Sequence, residues 1–98
     1  MKRREVLEKA RDIVTGARDL EYGGPEDSFA RIAKLWTAWL GIPVTTADVA
    51  VMMGLLKMAR LASSGFQSTD SWIDLAGYAA CGAEIATERR PDDEEHAD

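Results

Sequence analysis

Ninety-eight residues, 46% of them apolar, allow one domain with one modest core. The formal charge of −5 is a property of the C-terminal end: removing Asp92, Asp93, Glu94, Glu95 and Asp98 from seventeen acids leaves twelve, against twelve bases. A neutral body argues against the one-sided basic field of a nucleic-acid surface, and a single cysteine, Cys81, excludes an intramolecular disulfide, which fits a reducing cytoplasm.

Charges follow Met1 directly with no apolar core region behind them, which does not read as a signal peptide, and no apolar run is long enough to span a bilayer. The first helix is predicted over about Arg3–Arg18, where Val6, Ala10, Ile13, Val14 and Ala17 recur at helical spacing. Gly23-Gly24-Pro25 punctuates the chain, and Pro25 suits the first position of a second helix. That helix carries Phe29, Ile32, Ala33, Leu35, Trp36, Trp39 and Leu40, and Gly41 and Pro43 stop it. Its aromatics, with Trp72, are expected in the core.

Thr45-x-x-Asp48 has the form of a capping box and opens a third helix running to about Ser63. Val49 to Ala62 is apolar almost all round, which places the helix centrally or at a subunit interface. Ser63-Ser64-Gly65 ends it. Ser68 or Thr69 caps a fourth helix over about Asp70–Glu88, with Trp72, Ile73, Leu75, Ala76, Ala79, Ala80 and Ala83 as its buried surface. Gly77, Ala80, Gly82 and Ala83 are small enough to admit a neighbouring helix closely. Cys81 reads as a small buried hydrophobe. No strand pattern is present. The predicted class is all-α: a four-helix bundle over residues 1–91, completed by homo-oligomerisation, with a disordered acidic tail at 92–98.

The chemistry concentrates between Asp48 and Asp74. Lys57 and Arg60 are three apart on the third helix, and Asp70 and Asp74 are four apart on the fourth, so each pair shares a face. A charge buried without a partner is costly, so these four must pair with one another, with a metal or with a ligand. As ligand groups, Lys57 and Arg60 suit phosphate oxygens, while Asp70 and Asp74 suit Mg²⁺ held against a phosphate. As structure, the quartet is a clamp of ion pairs. Tyr22, beside the glycine pair, is placed to stack on a base, or simply to connect two helices. Arg31 could reach a phosphate, and the Tyr78 hydroxyl lies on the Asp74 face. Nothing has the pattern of a Ser-His-Asp triad, a zinc cysteine cluster, a Walker loop or a dinucleotide fingerprint.

Tyr22-Gly23, Phe29-Ala30-Arg31-Ile32, Leu35-Trp36, Asp48-Val49-Ala50, Lys57-Met58-Ala59-Arg60-Leu61 and Asp70-Ser71-Trp72-Ile73-Asp74-Leu75-Ala76-Gly77-Tyr78-Ala79 together resemble a small protein family of phages and prophages. The resemblance covers about residues 15 to 84, and the last block is its most specific part. The family is distantly similar to the MazG-type all-α nucleotide pyrophosphohydrolases. That similarity implies a MazG-like helical bundle, a dimer or larger assembly, a nucleotide-like ligand, Mg²⁺ as cofactor, and the cytoplasm of the phage host. The MazG-type metal cage is a Glu-Glu-x-x-Glu cluster followed by Glu-x-x-Asp. Here the third helix offers only Asp48, and the fourth has Ser71-x-x-Asp74 with Asp70 alongside, so a metal set would draw on Asp48, Asp70 and Asp74, with Glu21 or Glu84 as further candidates. The resemblance therefore supports a nucleotide-binding protein that senses or sequesters its ligand ahead of a Mg²⁺-dependent pyrophosphohydrolase. A non-catalytic helical interaction module is the third expectation.

Overall fold

The structure, a computed structural model, describes residues 1–16 and 25–88. Those residues form four α-helices and no strand: α1 (Arg3–Thr15), α2 (Pro25–Leu40), α3 (Thr46–Ser63) and α4 (Thr69–Thr87). None is long and apolar enough to cross a membrane. α1 stops at Thr15, before the expected Arg18, with Gly16 in an extended conformation. Residues 17–24 and 89–98 lie outside the described residues, and with them Ala17, Tyr22, the glycine pair and the acidic tail.

The helix starts and stops follow local chemistry. α2 begins at Pro25. It ends where Gly41, at φ 73°, donates its N–H to the Thr37 carbonyl. A left-handed residue there costs glycine nothing. The Thr37 hydroxyl then accepts from the Val44 N–H at 2.9 Å and ties the following loop back to α2. The capping box at α3 is reciprocal: Thr45 N–H donates to Asp48 Oδ2 at 2.9 Å, and Asp48 N–H donates to Thr45 Oγ1 at 3.1 Å. α3 ends in a left-handed turn at Gly65 and Phe66, where the Phe66 N–H returns to the Leu61 carbonyl at 2.8 Å. Trp72 Nε1–H then donates to the Phe66 carbonyl at 2.9 Å, bracing the turn from α4.

The backbone bond from Thr45, and secondarily its hydroxyl, hold the Asp48 carboxyl below its ordinary value of 3.8. A carboxyl depressed on folding stabilises the fold above the unfolded value, and the gain is lost as pH falls through the lower folded value. Asp48→Asn is therefore expected to melt earlier than wild type at neutral pH. The difference should close as the pH drops below about 4. Thermal unfolding of both proteins across that range checks it, and a gap that persists unchanged at strongly acid pH would refute it.

α3 and α4 make the most extensive contact, as an antiparallel hairpin. Gly82 lies against Ala50, Gly54 against Leu75, and Lys57 against Asp74. A Cβ built on Gly82 would stand 3.1 Å from the Ala50 Cβ, so the small residue sets the helix separation. α1 docks on α4 and runs parallel to it, with Val14 over Gly77. α2 packs mainly on α3 and lightly on α4. The core is the cluster of Phe29, Ala33, Val49, Ala50 and Cys81, with Val14, Trp36, Met53, Tyr78 and Ile85 packed around it. Cys81 is buried there, as its small neighbours suggested.

Several expected core residues are exposed. Trp39 is 87% exposed, and Leu35 is also largely open. α2 turns Phe29, Ala33 and Trp36 inward, and Leu35 and Trp39 lie off that line. Trp72 is partly exposed, its ring held by the Phe66 bond. Ala79, Ala80 and Ala83 are exposed as well, because α4 uses Gly77 to meet α1 and Gly82 to meet α3.

Candidate functional site

Ser68 fixes the start of α4. Its hydroxyl accepts from the Ser71 N–H at 3.2 Å and donates to Ser71 Oγ at 3.0 Å. This cap puts Asp70 in the first turn and Asp74 one turn further along the same face. The antiparallel hairpin then delivers Lys57 to Asp74, with Nζ 2.8 Å from Oδ2. The lysine side chain is only 12% exposed, and the aspartate is 34% exposed. Lys57 is thus enclosed between the helices, while its partner looks outward.

Asp74 looks into an open groove of about 480 Å³ between α1 and α4. α4 supplies Asp70, Ile73 and Asp74 to its walls, and α1 supplies Lys9, Asp12 and Ile13. The lining carries three carboxylates and one lysine, with Lys57 behind Asp74 as a second cation. The apolar portion comes from Ile13, which is about half exposed, and Ile73.

The structure brings together only part of the predicted set. Asp70 and Asp74 meet at the groove, and Lys57 reaches Asp74 from behind it. Arg60 is exposed and forms no ion pair with the described residues, so the expected four-charge cluster reduces to one pair. Arg31 is exposed on α2. Tyr78 is turned into the core, its ring 6.1 Å from that of Phe29. Asp48 closes the cap of α3, at the opposite end of the hairpin from Asp74. Among the described residues, no three His, Cys, Asp or Glu side chains converge on a common point suited to a metal ion. Ser71 is buried and bonded to Ser68.

Lys9 and Asp12 were missed by the sequence reading. On α1 they look like ordinary solvated charges, and only the docking of α1 on α4 turns them toward Asp70 and Asp74. The available signal was Ile13, which lies four positions from Lys9 and belongs to the predicted apolar stripe.

The comparisons with known proteins point to phages. The chain is 39% identical over 83 residues to the Gene 55 protein of Mycobacterium phage D29, covering 85% of this chain and 54% of that protein. It is 44% identical over 75 residues to the Gene 55 protein of Mycobacterium phage L5, covering 76% of this chain and 47% of that one. The chain therefore spans about half the length of these curated relatives, and neither name states an activity. No solved structure matches it. Residues 5–86, which include every helix but the first two residues of α1 and the last of α4, match a family described as a domain of unknown function, DUF6378, and the chain belongs to that family.

Proposed function

We propose that the α1–α4 groove binds a phosphorylated small molecule of nucleotide type together with its divalent cation. The observation that carries this reading is the Lys57–Asp74 pair, closed at 2.8 Å on the lysine side and open to the groove on the aspartate side. A bare phosphate would be repelled by Asp12, Asp70 and Asp74. A phosphate bearing Mg²⁺ would not, because the metal takes carboxylate oxygens while Lys9 faces the phosphate oxygens and Lys57 holds Asp74 from behind. Mg²⁺ is commonly held by one or two carboxylates plus the phosphates it accompanies, so a preformed three-residue cage is not required. Ile13 and Ile73 offer an apolar wall for the rest of the ligand.

The resting pair does not prevent this. Asp74 is open on its groove side, so a metal can take the carboxylate there while Oδ2 keeps the enclosed Lys57 paired. Sensing or sequestering fits the site better than MazG-type hydrolysis, because the buried Ser71 cannot supply the carboxylate that such a metal cage uses.

Calorimetry with nucleoside triphosphates, with and without Mg²⁺, tests the reading. Binding at micromolar affinity or tighter is expected only with the metal present. Asp74→Ala should weaken it by at least about tenfold, or about 1.4 kcal/mol. Flat traces across the panel, with a loss of several kcal/mol in Asp74→Ala, would make the pair a structural clamp instead. Pyrophosphate release that disappears in Asp74→Ala would establish hydrolysis in place of simple binding.

A further inference from the structure

Among the described residues, the α3–α4 hairpin is covered on one side only. Val14 of α1 and Phe29 of α2 both join the cluster built on Val49, Ala50 and Cys81, so both outer helices lie on the same side of the hairpin. The charged groove is on that covered side, against α1. On the other side nothing among the described residues is packed.

The uncovered side is apolar across both helices. On α3, Val51, Leu55 and Met58 share a face and are each half or more exposed. On α4, Trp72, Ala79 and Ala83 share the corresponding face and are exposed too. No charged side chain interrupts either stripe. Charge is plentiful elsewhere on the same helices: Lys57 and Arg60 point away from the α3 stripe, as Asp70, Asp74 and Glu84 do from that of α4. The alanines make the α4 half low and smooth, and the longer side chains of α3 stand above it as a ridge, a relief that one helix layer can seat in another.

We infer that this face joins two copies of the chain, hairpin against hairpin about a two-fold axis, so that α3 and α4 of each copy form a central four-helix layer. The area argues for this occupant. Val51, Leu55, Met58 and Trp72 expose roughly 100 Å² each and the two alanines roughly half that, so two such faces bury about 1,000 Å² between copies, the least that a specific interface needs. The relief argues for it as well. A two-fold axis through the middle of the face lays the ridge of each copy over the alanine surface of the other, so one surface supplies both complements. The outer helices and their grooves then face outward in both copies, open to solvent.

Sedimentation of the whole chain tests it. A particle of twice 10.7 kDa is expected, and Leu55→Lys should reduce it to one chain with helical circular dichroism unchanged. Leu55→Ala combined with Met58→Ala removes apolar surface without disfavouring helix, so it will fold even if Leu55→Lys does not. It should weaken association by roughly tenfold or more. A wild-type chain that stays single, or a dimer indifferent to both variants, overturns the inference. Neither residue lines the groove, so ligand binding measured on the same variants reports separately on the proposal made for that site.

Discussion

Replacing Phe29 by alanine is expected to lower the unfolding free energy by about 3 kcal/mol. Phe29 is buried at the centre of the cluster that joins all four helices, with Val49, Ala50 and Cys81 around it and the Tyr78 ring 6.1 Å away. Removing the ring opens a cavity that rigid helices on three sides cannot fill. In a domain of this size total stability is on the order of 5–10 kcal/mol, so the loss should be visible as a large drop in urea midpoint. Trp39→Ala, three turns along the same helix, is the control. Trp39 is almost fully exposed, so its loss should change stability by only about 0.5 kcal/mol. Equal losses at the two positions would mean that α2 presents a different face to the core.

The second large effect is expected at Gly82. Leucine there must enter a contact in which even a Cβ stands 3.1 Å from the Ala50 methyl, and α3 cannot retreat without parting from α4 along its length. Overpacking of this kind costs about 2–3 kcal/mol. Gly54→Ala provides the opposite sign on the same interface. Its Cβ would meet Leu75 Cδ1 at 3.4 Å, an ordinary contact, and alanine is favoured over glycine inside a helix by about 1 kcal/mol. Chemical denaturation of the two variants beside wild type decides it. If both variants shift the midpoint in the same direction, the distance between α3 and α4 is not set at Gly82.

The helices were legible because their ends are written locally. Pro25, Gly41, the Thr45/Asp48 exchange, Ser68 and Gly65 each act within a few residues, and each stands where the sequence placed it. The left-handed Phe66 was not legible, since nothing in its side chain asks for that backbone. Which apolar residues face inward was only partly legible. Leu35, Trp39, Ala79, Ala80 and Ala83 carry the composition of a core, but burial depends on which neighbours arrive, and none of the described helices arrives there. The site divides in the same way. Lys57 and Asp74 face each other because a short turn reverses the chain between them, and that much follows from spacing. Arg60 has the same spacing argument but remains in solvent, and Lys9 and Asp12 enter through a docking between distant parts of the chain that no local pattern announces.

That docking also orders events in time. α3 and α4 are neighbours along the chain and can zip together as soon as both exist, since the loop between them is short and cheap to close. Of the four described helices α1 is synthesised before the others, yet its seat on α4 is synthesised after them. α1 therefore cannot take its seat until the hairpin it docks on has been made. The groove exists only once that seat is filled, and it is lost whenever α1 frays.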